Sequence, residues 1–196
     1  MKKIILFGGT FDPIHLGHLI LAEYAKEFID AKKVIFIPSY KPPHKLNYTP
    51  TYYKHRYNMV KLAIKNCKNF VLSDFEIKRK GVSYTYITID YFKERYKNYD
   101  LYFLIGLDSL VSLPTWEKWQ EIVKKIKFLV GKRKINQYAL DNLPKKVLKK
   151  IIFFDSPIIE ISSSEIRDRV KNLLPIKYLV PEQVEKYILK HKLYKQ

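Results

Sequence analysis

The first forty residues alternate apolar and polar segments in an order that strongly limits the fold. Residues 3–7 form a segment that is apolar throughout after its first lysine, and residues 34–37 form a second apolar run. Such runs are typical of strands that are buried on both faces of a sheet. Between them, two glycines break the first run, and residues 16–29 have the apolar spacing of a helix. This order predicts a βαβ unit with a right-handed crossover.

The same alternation continues to the end of the chain. We expect further strands at residues 70–72, 100–105, 127–130 and 151–154, and helices at about 51–66, 84–96, 163–172 and 181–190. Residues 39–50 are predicted as a loop and residues 74–83 as a polar connection. The pattern predicts an α/β fold, a doubly wound parallel sheet with helices on both faces. We expect one domain over residues 1–196, which includes a small C-terminal helical part at about 163–191.

Composition narrows the class of protein. The single cysteine, Cys67, excludes a disulfide framework and a cysteine-based metal site within the chain. No apolar stretch approaches the ~20 residues that span a bilayer, and the apolar start breaks at Gly8, too early for a signal peptide. We therefore expect a cytoplasmic protein with no membrane partner.

The formal net charge of +18 raises the question of nucleic acid. The 37 basic residues comprise 31 Lys and only 6 Arg, spread along the whole chain. Base and phosphate recognition tends to use arginine forks. We therefore interpret the excess mainly as a solvated lysine surface, with attraction of anionic substrates and weak nucleic-acid binding as the alternatives.

The most informative segment follows the first predicted strand and reads Gly-Gly-Thr-Phe-Asp-Pro-Ile-His-Leu-Gly-His over residues 8–18. Backbone N–H groups at a helix N-terminus attract phosphate. His15 and His18 are three apart and share one face of the first turn, and Gly17 between them leaves room for an anion. Glycines at other predicted strand exits, Gly106 and Gly131, also let a ligand approach the backbone.

Four roles are open to the two histidines. Metal ligation lacks an evident third ligand, and nucleophilic catalysis lacks an orienting partner. The pair could instead donate N–H bonds to phosphoryl oxygens in a transition state, or simply cap the turn. The glycine-rich setting favours the phosphoryl role. The segment is neither a P-loop nor a dinucleotide fingerprint, because GxxxxGK[ST] and GxGxxG are both absent.

Residues 8–18 closely resemble the HxGH signature of the nucleotidyltransferase superfamily, and the eleven-residue form is similar to its bacterial nicotinate-nucleotide adenylyltransferase branch. The resemblance implies a Rossmann-like fold. It also implies transfer of the adenylyl group of ATP to nicotinate mononucleotide, which gives deamido-NAD and pyrophosphate in NAD biosynthesis. His15, His18 and Arg167 are the implied catalytic residues.

Five further segments extend the resemblance. They are the PPHK stretch at 42–45, the SYT at 83–85, residues 104–119, the strand at 128–133 and the ISSSEIR at 161–167. The implied ATP-binding residues are Gly8, Gly9, Thr10, Phe11, Gly106, Asp108, Arg133, Ser163, Ser164 and Arg167. The implied nicotinate mononucleotide-binding residues are His44, Lys45, Tyr84, Thr85 and Trp116. The YLVP turn at 178–181 resembles a structural turn of the family.

Residue-level physics supports several of these roles. A proline-stiffened loop that carries His44 and Lys45 makes a preset anion site, and Trp116 offers a flat partner for a pyridine ring. Serines before a helix make a second anion-binding N-terminus, with Arg167 one turn further on. The family often has Asp or Gln at the position of Ile87. This departure weakens any role for that side chain.

We expect Mg²⁺ to accompany ATP, with no metal-ligating side chains. Two alternative functions stay open. The nearer is another HxGH adenylyltransferase that uses nicotinamide mononucleotide or phosphopantetheine. The farther is a non-catalytic nucleic-acid-binding protein, which the net charge of +18 motivates. A homo-oligomer is compatible with the sequence.

Overall fold

The computed structural model describes residues 2–43, 49–132, 140 and 142–195. Six parallel strands form one sheet in the order β3-β2-β1-β4-β5-β6. The strands are β1 (Lys2–Gly9), β2 (Ala31–Pro38), β3 (Phe70–Leu72), β4 (Tyr99–Ile105), β5 (Lys127–Lys132) and β6 (Ile151–Asp155). The predicted fold class, a doubly wound parallel sheet of the Rossmann type, is confirmed.

Helices connect successive strands and follow the last one. They are α1 (Leu16–Phe28), α2 (Tyr53–Ala63), α3 (Phe75–Arg79), α4 (Thr85–Arg95), α5 (Leu107–Ser112), α6 (Trp119–Lys125), α7 (Lys145–Leu148), α8 (Ser163–Lys171) and α9 (Glu182–Lys190). A short 3₁₀ turn at Leu113–Thr115 lies between α5 and α6. Among the described residues, no helix is both long and apolar enough to cross a membrane.

Two parts of the pattern were predicted wrongly. The predicted polar connection at 74–83 contains α3, which forms because Glu76 turns inward and bonds the Thr88 hydroxyl of α4 at 2.6 Å. Gly131 lies inside β5, where a Cβ would meet Leu21 at 2.5 Å and the Ser156 hydroxyl at 2.8 Å. That glycine therefore makes room for α1 to pack on the sheet, and it does not line the cavity described below.

Both faces of the sheet are covered, as its apolar strands require. In β1, residues 4–6 have no exposed surface. One face packs against α1, α2 and the C-terminal helices, and the other packs against α4, α5 and α6. The C-terminal helices contribute Ile166, Val184 and Ile188 to the same core as α1.

The strand order places the functional edge. The chain winds outward from β1 to β3 and then returns to β4 on the other side of β1. Loops that leave β1 and β4 therefore diverge, and open a crevice at the carboxyl ends of these strands. The segment with the two histidines leaves β1 at this point.

Candidate active site

A cavity of about 520 Å³ occupies the crevice between the exits of β1 and β4. It is lined by residues from the β1–α1 turn, the β2 exit, the start of α4, the β4 exit and the start of α8. The predicted site residues that line it are Gly8, Gly9, Thr10, Phe11, His15, His18, Thr85, Gly106, Asp108, Trp116 and Ser163. The fold thus gathers residues that are up to 155 positions apart in the chain, as Gly8 and Ser163 are.

The two histidines lie together at the start of α1. His15 is the residue that caps the helix, in extended conformation, and its ring stacks on that of His18 with centroids 3.7 Å apart. The backbone N–H of His15 donates to Nδ1 of His18 at 3.3 Å. That bond assigns the neutral His18 ring its proton on Nε2, because Nδ1 serves as the acceptor. His18 also packs edge-on against Phe11, with centroids 5.2 Å apart.

Gly17 lines the cavity and lies beside the His15 ring. A Cβ at this position would lie 3.1 Å from Nδ1 and 3.2 Å from Cε1 of His15. The missing side chain therefore leaves space for the His15 ring, a role that the sequence did not indicate. The room expected here for an anion stays a prediction.

One helix N-terminal amide is also used differently. The N–H of Leu16 donates to the carbonyl of Leu179 at 3.0 Å, so this donor is satisfied within the protein. Leu179 belongs to the YLVP turn, which thereby caps α1 across 163 positions of the chain. This donor is therefore not available to a ligand at the turn.

Trp116 and Thr85 lie on the β4 side of the cavity. Trp116 is half-buried, and its ring packs edge-on against Phe103 with centroids 6.5 Å apart. Its Nε1 donates weakly to the Ser112 hydroxyl at 3.4 Å, so one edge is anchored. A face of a partly exposed, anchored indole can accept a flat ring.

Tyr84 and Ile87, which lie close to Thr85 in the sequence, are not among the described residues that line the cavity. Tyr84 caps α4, and its ring stacks on Tyr86 with centroids 5.9 Å apart. Ile87, the position where the sequence departs from the family, is likewise absent from the described lining. Ile87 is therefore not one of the described residues that form the cavity wall.

The serine-rich segment begins α8 opposite the histidines. Ser162 caps the helix by accepting the N–H of Glu165 at 3.1 Å. Ser163 donates to the carbonyl of Pro13 at 2.9 Å, and Arg167 donates to the carbonyl of Asp12 at 2.8 Å. Ser163 and Arg167 therefore share one helix face, as predicted, and that face grips the β1–α1 turn.

Ser164 is placed differently. It is exposed, and its hydroxyl lies 3.1 Å from that of Ser162. Among the described residues, neither Ser164 nor Arg167 lines the cavity. Three further predicted residues, His44, Lys45 and Arg133, lie outside the described part of the chain.

Sequence reasoning missed a buried carboxylate in the cavity wall. Glu76 is 5% exposed and accepts a bond from the Thr88 hydroxyl. Burial raises the pKa of its carboxyl, and hydrogen bonds from Ser83 and Thr88 oppose that shift. Ser83 in turn accepts the Tyr40 N–H at 2.9 Å, which ties the β2 exit to the start of α4. A carboxylate in a lysine-rich stretch is typical of a solvated surface, so the sequence carried no signal for this role.

The second missed residue is Arg56, an arginine of α2 that is only 1% exposed. Its guanidinium donates to the carbonyls of Thr51 and Thr10, each at 2.7 Å, and of Tyr40 at 3.1 Å. Burial lowers the pKa of this guanidinium, and the nearby Asp12 carboxylate opposes the shift. Arg56 thus joins the exits of β1 and β2 to the start of α2 from beneath the cavity.

Comparison with known proteins agrees with this arrangement. Residues 6–169 match the cytidylyltransferase-like family. A protein of Clostridium novyi named "Probable nicotinate-nucleotide adenylyltransferase" is 43% identical over 100% of both chains. A protein of the same name from Dictyoglomus turgidum is 45% identical over 98% of this chain and 95% of its own.

A solved structure has the same architecture. The Plasmodium falciparum nicotinic acid mononucleotide adenylyltransferase complexed with NaAD superimposes with a TM-score of 0.81. The match covers 99% of this chain and 98% of that one at 25% identity. The sheet, the paired histidines at its switch point and these full-length similarities lead to one conclusion: the chain belongs to the nicotinate-nucleotide adenylyltransferase family of cytidylyltransferase-like proteins.

Proposed function

We propose that this protein transfers the adenylyl group of ATP to nicotinate mononucleotide and releases pyrophosphate. The observation that carries the proposal is the stacked pair His15 and His18, which lines a cavity beside Trp116. Relatives that match over the full length bear the name of this activity. The similar Plasmodium falciparum enzyme is described in complex with NaAD and with APC.

The reaction needs positioning more than acid–base chemistry. A phosphate oxygen of the mononucleotide attacks the α-phosphorus of ATP, the bond from that phosphorus to the bridging oxygen breaks, and pyrophosphate leaves. No proton has to move in this step. Catalysis therefore rests on alignment and on donors aimed at oxygens that gain charge.

We assign this donor role to His15 and His18. The proton on Nε2 of His18 lets the ring donate to an α-phosphate oxygen while Nδ1 is held by the His15 backbone. The neighbouring Phe11 ring restricts the imidazole, which reduces the reorganisation needed in the transition state. Gly8, Gly9, Thr10 and Phe11 form the backbone edge on which the triphosphate lies.

The two ends of the cavity suit the two substrates. Trp116 and Thr85, which line the cavity, accept the pyridine ring and its carboxylate. The resemblance to the family assigns His44, Lys45 and Tyr84 to the same mononucleotide. Asp108 and Gly106 are assigned to the ribose of ATP, and Arg133 to its base. Ser163, Ser164 and Arg167 are assigned to the distal phosphates.

Mg²⁺ is expected to arrive with the triphosphate. Within the described residues, no group of three or more His, Cys, Asp or Glu side chains could hold a metal ion. We assign the ion no protein ligands. We also propose that the enzyme works in the cytoplasm on these two nucleotides, without a membrane or a specific nucleic acid as partner.

A panel of acceptors with ATP, read by pyrophosphate release, tests the proposal. Nicotinate mononucleotide should support turnover, and the nicotinamide form and phosphopantetheine should support much less. Preferred turnover of either alternative would overturn the assigned substrate. Salt-sensitive duplex binding with no turnover of any acceptor would instead favour the nucleic-acid alternative.

The His18→Ala variant tests the catalytic assignment. We expect kcat to fall at least ~10²-fold, as for the loss of one preset donor, with the melting temperature little changed. His191→Ala is the matched control, because His191 is an exposed residue at the end of α9. Full turnover by the His18→Ala variant would contradict the role.

A further inference from the structure

The C-terminal tail returns to the β1–α1 turn after α9 ends. The hydroxyl of Tyr194 donates to Oδ1 of Asp12 at 2.7 Å, across 182 positions of the chain. Tyr194 is half-buried and its hydroxyl also lies 4.0 Å from the sulfur of Met59. Among the described residues, Tyr194 is not part of the cavity lining, so it does not touch the substrates directly.

Asp12 joins this tail to the rest of the turn. Its side chain is fully buried, and its second oxygen accepts the Thr51 N–H at 3.0 Å. The carbonyl of the same Thr51 accepts from Arg56, which also bonds the carbonyl of Thr10. A buried carboxylate requires donors on both oxygens, since an unmet acceptor in this setting is costly. Tyr194 supplies one of these donors.

The backbone at both ends of this contact is held in an unusual conformation. Phe11, directly before Asp12, has φ 50°, and Tyr194 has φ 63°. Bulky residues adopt the left-handed region only where the surroundings over-determine them, and such positions cluster at functional sites. The hydrogen bond from Tyr194 to Asp12 is one of the contacts that determine this turn.

The donor is chemically stable. Burial raises the pKa of the Tyr194 phenol, and the Asp12 carboxylate raises it further. The hydroxyl therefore keeps its proton at any pH at which an enzyme assay is run. It can act only as a donor to Asp12 and not as an acid or base.

We propose that Tyr194 is a positioning residue for the reaction. Through Asp12, its hydroxyl holds the turn that carries Thr10 and His15 in the alignment that adenylyl transfer needs. The C-terminal tail is thereby a working part of the active site although it lies behind the turn. The kinetic part of this inference rests on the proposed function.

Tyr194→Phe removes the donor and keeps the ring. A small misplacement of reacting groups is felt mainly in the transition state, so we expect kcat to fall about tenfold. KM for ATP and for nicotinate mononucleotide should stay within about twofold, because no residue that lines the cavity is replaced. This split between kcat and KM is not expected from a general loss of stability.

Tyr187→Phe is the matched control. The Tyr187 hydroxyl also joins the C-terminal region to α2, through Nδ1 of His55 at 3.0 Å and Nδ2 of Asn58 at 3.1 Å, and it does not contact the turn. We expect a comparable change in melting temperature and an unchanged kcat. Amide hydrogen exchange of residues 9–18 should quicken in Tyr194→Phe and not in Tyr187→Phe.

The outcomes separate this inference from the proposed function. If the unmodified protein turns over no nicotinate mononucleotide, the proposed function fails, and exchange of residues 9–18 still tests the contact. Turnover by the unmodified protein with unchanged kcat in Tyr194→Phe overturns the positioning role. The same holds if Tyr187→Phe loses as much activity, or if Tyr194→Phe does not fold while Tyr187→Phe does, since the hydroxyl would then serve the fold.

Discussion

Replacement of Arg56 with methionine should be among the most damaging single changes outside the cavity wall. The guanidinium donates three bonds of 3.1 Å or shorter to the carbonyls of Thr10, Tyr40 and Thr51. Hydrogen bonds from charged donors each contribute roughly 1.5–3 kcal/mol, and the cost of burying the cation offsets part of that sum. The variant also removes one positive charge from the surroundings of the buried Asp12 carboxylate.

Removing one member of a buried charged network typically costs about 3–5 kcal/mol. Against a total stability of roughly 5–15 kcal/mol, that loss is large. For a chain of this length each kcal/mol lowers the melting temperature by about 2–4 °C, so Arg56→Met should melt about 6–20 °C lower. Arg56→Lys keeps the charge but not the planar fork. Its melting temperature should lie between those of the unmodified protein and Arg56→Met.

Urea unfolding followed by circular dichroism measures the effect. Arg169→Met is the matched control, because Arg169 makes a single exposed bond to the carbonyl of Pro175 at 2.9 Å. The control should cost less than about 1 kcal/mol. A loss below about 1 kcal/mol in Arg56→Met, or equal losses in the two variants, would refute the view that this guanidinium supports the turn.

Three further changes test other parts of the structure. Trp116→Ala should raise KM for nicotinate mononucleotide about tenfold or more, as loss of one stacking contact predicts. KM for ATP should hardly change, and equal effects on both would contradict stacking. Gly17→Ala should lower kcat about tenfold with little change in melting temperature, because the new Cβ would lie 3.1 Å from the His15 ring; normal kcat would refute this. Burial lowers the pKa of His55, and nearby His191 lowers it further. The unfolded chain then binds the proton more tightly, so stability is lost as the pH falls through the ordinary histidine range near 6.5. Between about pH 7.5 and 5.5, the melting temperature should fall less steeply for His55→Gln than for the unmodified protein. Equal falls in the two proteins would contradict the assignment.

The predicted fold rested on local pattern, and that part was confirmed. The apolar runs of β1 and β2 and the helical spacing of α1 are properties of short segments. A strand buried on both faces must be apolar throughout, so its sequence reveals its place in the sheet. Helix α3 escaped prediction because Glu76 and its neighbours look solvated until α4 packs against them.

Part of the site was also predictable from local sequence, and part was not. The segment at residues 8–18 carries its own chemistry, and the turn after β1 does bring His15 and His18 together. A one-dimensional pattern does not show that the His15 ring lies 3.1 Å from the place of a Cβ at Gly17, and the room that Gly17 leaves for an anion stays a prediction. The roles assigned to His44, Lys45 and Arg133 stay predictions.

The sequence by itself determined the strands of the sheet and the family, and it predicted anion binding at the first turn. Each follows from residues that are close together in the chain or from a motif with fixed spacing. Only the tertiary structure decided what supports the turn. Arg56, Asp12 and Tyr194 are far apart in sequence. Arg and Asp side chains usually face water, and Tyr is of intermediate burial. Their function arises because folding removes them from water together, and a buried charge or hydroxyl must then find its partner in the protein.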